Sequence, residues 1–412
     1  MDIYDLFFYL SLGAGFLMAF NLGANDVANS MASAVGARAI SVRQAVFIAS
    51  ILNFVGAVFM GSHVTATVSK GIINSSAISD PKLMMIGMFS ALLAAALWVL
   101  VATLTSLPVS STHSIVGAIM GFGLVAGGPD VVNWLKMGGI VLSWIISPFF
   151  AAIIAFSVFS HIRKYILYKH HFIEQAKRWA PIWAAFTILL IALSFLYKTP
   201  AGKSLDLHWV TALVIAAALG LLTWLGTRVL VGRMVMDQEE GAEGVERVFR
   251  RMQVGTSCYV ALSQGANDVA NAIGPVAAIY LIAKEHQLYS QADIPISMLI
   301  LGGLGIAFGI SLLGHKVMAT VGEKITTLTN TRGFAVDFGA ASTVLIASNL
   351  GLPVSTTHAA VGGVVGVGLA RGFKAVDFRV LLRIVAYWVA TVPIAALTSI
   401  IFFVLLKWLC YS

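Results

Sequence analysis

The feature that most limits what this chain can become is a succession of apolar tracts, each long enough to cross a bilayer. One crossing takes about 20 apolar residues in a helix. Tracts of that kind stand near residues 5–36, 43–64, 84–106, 109–127, 138–160, 182–197, 209–230, 253–283, 296–314, 334–350, 354–370 and 384–407. They predict an all-α polytopic membrane protein of about twelve transmembrane helices. With 59% of its 412 residues in AVILMFWYC and 11% charged, the chain is excluded from the soluble, fibrous and disordered classes. The start, Met1-Asp2-Ile3-Tyr4-Asp5, has no basic n-region, so the first tract reads as a retained helix. Cys258 and Cys410 lie in apolar surroundings without CxxC or Cys/His spacing, which supports neither a disulfide framework nor a zinc site.

A formal charge of +8 would otherwise suggest a nucleic-acid partner, but the basic residues follow topology instead. With both termini placed outside, 19 of the 26 Lys and Arg residues, including every arginine, fall on the cytoplasmic side. The positive-inside rule therefore orients the chain, and no nucleic acid is expected.

Two motifs occur twice. Gly23-Ala24-Asn25-Asp26-Val27-Ala28-Asn29 returns 242 residues later as Gly265-Ala266-Asn267-Asp268-Val269-Ala270-Asn271. Leu107-Pro108-Val109-Ser110-Ser111-Thr112-His113 returns 245 residues later as Leu352-Pro353-Val354-Ser355-Thr356-Thr357-His358. Val64–Val68 echoes Val317–Val321, and Pro148 aligns with Pro393. Order and spacing kept over such a length indicate duplication. By crossings, residues 1–160 form a five-helix unit entering from outside, 161–252 supply two connecting helices, and 253–412 form five helices entering from inside. The repeats are then inverted, with broken or re-entrant helices expected at a site near the midplane.

Buried amides and carboxylates are costly in a bilayer unless they line a cavity or bind something. In the first motif Asn25 and Asn29 stand four apart and Asp26 and Asn29 three apart, so three oxygen-bearing groups share one helix face. The same holds for Asn267, Asp268 and Asn271. With carbonyls freed by a glycine break, these groups make a cage for a hard cation such as an alkali ion. The plainer alternative is that Asn and Asp bond helices together.

The second motif has no carboxylate and is dense in hydroxyls after a proline, a residue favoured in a first helical turn. Pro108 and Pro353 are predicted to open helices whose N-termini present Ser110, Ser111 and Thr112, then Ser355, Thr356 and Thr357. Free N–H donors and hydroxyls at two converging N-termini suit a tetrahedral oxyanion. His113 and His358 follow directly, either as packed neutral rings or as relays. Neither motif holds Lys or Arg, and the apolar spans contain three carboxylates, Asp26, Asp268 and Asp337. Such an anion site needs positive charge from elsewhere, so cations moving with the anion are the simplest balance, and symport follows.

GANDVAN and LPVS(S/T)TH in both halves resemble the inorganic phosphate transporter (PiT) family over nearly the whole chain. The resemblance implies a multi-pass protein of the plasma (inner) membrane, importing inorganic phosphate by secondary active transport and alternating access. Sodium drives some members and protons others, and sulfate-carrying relatives exist. It implies cation sites at the Asn and Asp of the first motifs and anion contacts at the Ser and Thr of the second. Asp337 matches a place where many relatives carry Glu, and is a candidate for cation binding or gating along with the two histidines. Gln264 stands where a histidine often precedes GANDVAN, and Asn53 where eukaryotic relatives often carry a glutamate. These departures favour sodium over protons and leave Gln264 as a candidate acceptor for the anion's proton. No tightly bound cofactor is expected, the bilayer is the surrounding partner, and a homodimer is the common assembly for two-part transporters.

Two other classes fit less well. A membrane phosphatase would gather several carboxylates around divalent metals, whereas each repeat offers one Asp. An anion channel would attract its ion with a ring of basic residues, which the spans lack.

Overall fold

A computed structural model describes residues 2–61, 72–73, 78, 80–198, 202, 204–233, 242–286, 294–349 and 354–411. Among them are thirteen α-helices: α1 (Ile3–Gly36), α2 (Val42–Met60), α3 (Pro81–Leu104), α4 (Ser111–Gly127), α5 (Trp134–Ile162), α6 (Phe172–Lys198), α7 (Trp209–Arg233), α8 (Ala242–Glu285), α9 (Ile296–Leu313), α10 (His315–Ala319), α11 (Asn330–Asn349), α12 (Thr356–Arg371) and α13 (Phe378–Tyr411). Each of the twelve apolar tracts falls on one helix, and the short α10 is the addition. Nine helices among the described residues are long and apolar enough to cross a membrane: α1, α2, α3, α5, α6, α7, α8, α9 and α13. The chain is therefore a multi-pass membrane protein. The Val64–Val68 echo, Leu352 and Pro353 lie outside the described residues.

Local signals set where these helices begin. Ser41 caps α2 by accepting from Gln44 N at 3.2 Å, while the Gln44 side chain accepts from Ser41 N at 2.9 Å, the reciprocal pair of a capping box. Asp80 accepts from Lys82 N at 2.9 Å ahead of Pro81 in the first position of α3. Asn133 does the same for α5 through Lys136 N at 3.1 Å.

One expectation fails at the first motif. Gly23 and Gly265 break no helix: α1 runs through Gly23 and α8, 44 residues long, runs through Gly265. The glycines serve close packing. A Cβ on Gly23 would overlap the backbone carbonyl of Ile306 in α9, and one on Gly265 that of Asn53 in α2. Removing the side chain lets two backbones approach, which is how helices associate where no hydrophobic effect drives them together.

Packing places α1 against α8, α9 and α3, and α8 against α2 and α11. Around them α4 lies on α13 and α3, while α12 lies on α5 and α11. Exchanging α1 with α8, α2 with α9, α3 with α11, α4 with α12 and α5 with α13 returns the same pairings among these ten helices. Helices α6 and α7 pack on each other, with α6 also touching α8. Outer faces carry exposed apolar side chains such as Phe149, Leu222 and Trp408, as a lipid-facing surface requires. The irregular backbone that bears on function is the stretch between the end of α3 at Leu104 and the start of α4 at Ser111, of which Leu107 to Ser110 are buried. Backbone of that kind is tolerated at membrane depth where protein or a cavity satisfies it.

Candidate functional site

The second motif begins its helices later than its proline suggests. Ser110, not Pro108, is the N-cap of α4, accepting from His113 N at 3.3 Å, and Pro108 lies in the irregular stretch before it. Ser355 caps α12 identically through His358 N at 3.3 Å. Both serines are thus engaged in capping. Of the remaining hydroxyls, those of Ser111 and Thr357 are buried, while Thr112 and Thr356, matched positions in the two motifs, are half-buried.

Both first motifs meet these helix starts. Asn25 commits both ends of its amide to the irregular stretch: its Nδ2 donates to Leu107 O at 3.0 Å and to Thr103 Oγ1 at 3.2 Å, and its Oδ1 accepts from Val109 N at 3.1 Å. The Oδ2 of Asp26 accepts from Ser111 Oγ at 2.6 Å. The amide of Asn29 reaches the other half, donating to Thr357 Oγ1 at 3.0 Å and Thr356 Oγ1 at 3.3 Å. Asn271 answers from its side by donating to Thr112 Oγ1 at 3.5 Å. Thr357 Oγ1 donates in turn to Val109 O at 3.2 Å. Gln264 donates from Nε2 to the backbone carbonyl of Asp26. Residues more than 300 positions apart are therefore brought into one polar centre.

Its unpartnered atoms share one chemistry. Asp26 Oδ1, Asn29 Oδ1, Gln264 Oε1 and both carboxylate oxygens of Asp268 are buried without a well-formed hydrogen bond. Gln264 and Asn267, the latter half-buried, are the polar neighbours of Asp268, and the two aspartates are near enough to act on each other electrostatically. All five orphans are oxygen acceptors, and no Lys or Arg among the described residues bonds to any of them. Buried acceptors of that number call for cations or for the protons of a ligand. No three His, Cys, Asp or Glu side chains converge to hold a metal among the described residues.

The two histidines form a cluster the sequence did not announce. His113 packs at a tilt on Trp144 with ring centres 3.6 Å apart, His358 stacks on Trp388 at 3.7 Å, and the two imidazoles meet edge to face at 4.5 Å. Each Nδ1 faces a carbonyl of the opposite half: His113 to Trp388 O at 3.4 Å and His358 to Trp144 O at 2.8 Å. A carbonyl can only accept, so the proton sits on Nδ1 and each buried Nε2 is left without a partner. Trp144 and Trp388 are themselves a repeat pair, at nearly the offset of the second motif, and that spacing could have found them.

Asp337 stands apart from this centre. It accepts from Ser33 Oγ at 2.5 Å, Ser257 Oγ at 2.6 Å and Thr256 Oγ1 at 3.3 Å. Ser33 lies about two turns along α1 from Asp26, and Ser257 about three turns along α8 from Asp268. The fully buried Gln253 has neither end of its amide partnered and packs on Gly333, on the same helix as Asp337. Sequence reading singled out neither Gln253 nor these three hydroxyls.

A bundle of long apolar helices around a buried centre rich in acceptors and hydroxyls, with no Lys or Arg bonded to it among the described residues, defines a membrane solute transporter. Sequence comparison agrees. The pattern of the phosphate transporter family matches residues 22–399, and the chain belongs to that family. It is a transporter rather than an enzyme, and phosphate transport is its family's activity. A candidate phosphate permease of Pyrococcus abyssi is 50% identical across 98% of this chain and 99% of its own. A chloroplastic inorganic phosphate transporter of Arabidopsis thaliana is 38% identical, over 96% of this chain and 71% of its own. A solved sodium-dependent phosphate transporter is 46% identical and superposes with a TM-score of 0.89, covering 98% of this chain and 99% of its own.

Proposed function

We propose that the protein imports inorganic phosphate together with sodium, by alternating access of two inverted repeats, residues 1–160 and 253–412, about a midplane site. Residues 161–252 then carry the connecting helices. The observation that carries this reading is the set of five buried oxygen acceptors around Asp26 and Asp268. Two carboxylates and an incoming anion in a low-dielectric site cannot be balanced by neutral donors alone, so the anion travels with cations. Oxygen ligands and no sulfur or imidazole suit an alkali ion. The solved relative being sodium-dependent supports sodium for this one. The exchange that returns the pairings among those ten helices supports the repeat relation.

In this reading Asp26, Asn29, Asn267, Asp268 and Asn271 hold cations, while Asn25 fixes the stretch before α4. Ser111, Thr112, Thr356 and Thr357 contact the anion, with Ser110 and Ser355 shaping the two helix starts. Gln264 Oε1 accepts the anion's proton. Asp337, with Ser33, Thr256 and Ser257, forms a second carboxylate station along the cation's path, and the His113–His358 pair joins the two moving halves. Both termini face outward at the plasma (inner) membrane, and the assembly is a homodimer.

A partly protonated oxyanion fits orphaned acceptors better than fully ionised sulfate, which can donate nothing. Leaving such an acceptor unmet costs about 1–3 kcal/mol. Purified protein in liposomes should therefore accumulate labelled phosphate only with an inward sodium gradient. Arsenate should compete and sulfate should compete poorly. Gradient-independent flux would make the protein a channel, and equal competition by sulfate would make it a sulfate permease.

A further inference from the structure

Three arginines meet at the ends of helices well away from the transport centre. Arg163 follows the last residue of α5, Arg332 sits in the first turn of α11, and Arg371 ends α12. Arg163 donates to the carbonyl of Ala370, in the last turn of α12, which is ordinary C-terminal capping by a cation. The other two are not explained that way. Arg332 Nη1 donates to Thr327 O at 3.1 Å, and Arg371 Nη1 to the same oxygen at 3.3 Å. The two charged heads are thus no further apart than those two bonds laid end to end. Arg371 is further held by Thr327 Oγ1 at 2.7 Å and Thr326 Oγ1 at 3.2 Å, and the guanidinium of Arg332 lies over the Phe159 ring at 5.8 Å.

Like charges held so close ordinarily share a carboxylate, yet none among the described residues lies within ion-pairing distance of Arg332 or Arg371. The nearby acid is Glu246, and both its oxygens are taken by the first turn of α11, from Thr331 N and Thr331 Oγ1 at 2.7 Å each. The Nε of Arg332 is buried without an acceptor. A preorganised pair of guanidiniums with an unmet donor recognises a multi-oxygen anion, and forked N–H groups match phosphate oxygens in pairs.

We propose that Arg332 and Arg371, with the exposed Thr327 hydroxyl, form a second binding site for a phosphate group on the cytoplasmic rim, separate from the transport centre. The cytoplasmic placement rests on the orientation given under the proposed function; the site itself does not. Its ligand is a phosphate carrying one or two charges, either free inorganic phosphate or the headgroup of an anionic lipid. Helix α12 starts at the transport hydroxyls and ends at Arg371, and Arg332 lies just over one turn from Asp337. An anion bound here joins α11 to α12, the helices leading to the transport centre, and so restrains their movement when phosphate or anionic lipid is abundant inside.

Equilibrium binding tests this with full-length protein in nanodiscs of phosphatidylcholine, using labelled inorganic phosphate as the probe. The wild type should bind phosphate in two classes. Arg332→Gln/Arg371→Gln should weaken one class by about tenfold or more, the loss expected for charge-assisted hydrogen bonds. Ser111→Ala should weaken only the other. A parallel arm replaces part of the lipid with phosphatidic acid and reads the melting temperature. Stabilisation of wild type but not of the double variant, with a single phosphate class, assigns the site to the lipid headgroup. If the double variant matches wild type in both arms, the site does not exist. The single change Arg371→Gln, at an exposed side chain, decides the matter should the double variant misfold. Failure of Ser111→Ala to alter phosphate binding counts against the transport centre alone.

Discussion

Replacing Asn25 by Ala separates a role in shaping the anion site from a role in holding a cation. The side chain bonds Leu107 O, Val109 N and Thr103 Oγ1, and the first two are backbone groups of buried residues. Each stranded group costs about 1–3 kcal/mol. Two of them give roughly 2–6 kcal/mol, and partial relaxation of the irregular stretch keeps the result near the lower half of that range, about 3 kcal/mol. If only the ordered stretch receives the anion, that loss appears as a reduced competent fraction and raises the half-saturating phosphate concentration roughly a hundredfold. The assay is phosphate uptake into liposomes at saturating sodium, paired with calorimetric sodium binding without phosphate, which should stay within about threefold of wild type. The reasoning is refuted if uptake affinity stays within twofold, or if phosphate-free sodium binding weakens as much as in Asp26→Asn.

Three further outcomes follow from other parts of the molecule. Asp26→Asn and Asp268→Asn keep the side-chain volume but remove a charge, so each should raise the half-saturating sodium concentration by about tenfold or more while folded protein still reaches the membrane; unchanged sodium dependence in both removes the cation assignment. Gly23→Ala and Gly265→Ala force a Cβ into a neighbouring helix backbone and should destabilise by about 1–3 kcal/mol, read as a lower thermal midpoint in detergent, whereas Gly13→Ala, with open space around it, should be tolerated. A cysteine in the segment 165–178 should react with an impermeant reagent only from the cytoplasm, and one near Gly202 only from outside; reaction of both from one side breaks the inverted arrangement.

Much of this architecture could be read from the sequence because apolar length is a local property. Every tract found a helix, and the offset between motifs marked the residues that later proved to meet. Contacts between helices are another matter. In the sequence Gly23 reads as a break, because nothing in its own helix shows that Ile306 passes over it. Pro108 reads as a first-turn residue, whereas the cap is Ser110, whose hydroxyl completes the turn. The clasp of Asn25 on Val109, the bonding of Ser33, Thr256 and Ser257 to Asp337, and the packing of Trp144 on His113 and of Trp388 on His358 all join segments far apart in the chain. No periodicity within one helix encodes them.

The crossed bonds between His113 and Trp388 and between His358 and Trp144 also set a schedule for synthesis. The first turn of α4 waits for a partner 275 residues further along the chain. At about 5–20 residues per second, that is roughly 14–55 seconds after His113 leaves the ribosome. Asn29 waits longer still, since its partner Thr357 lies 328 positions away. Throughout that interval the first half lies in the membrane with its amides, carboxylate and hydroxyls only partly matched. The helices of this protein can therefore insert one by one as they emerge, but its polar centre closes only after Thr357 and Trp388 have emerged.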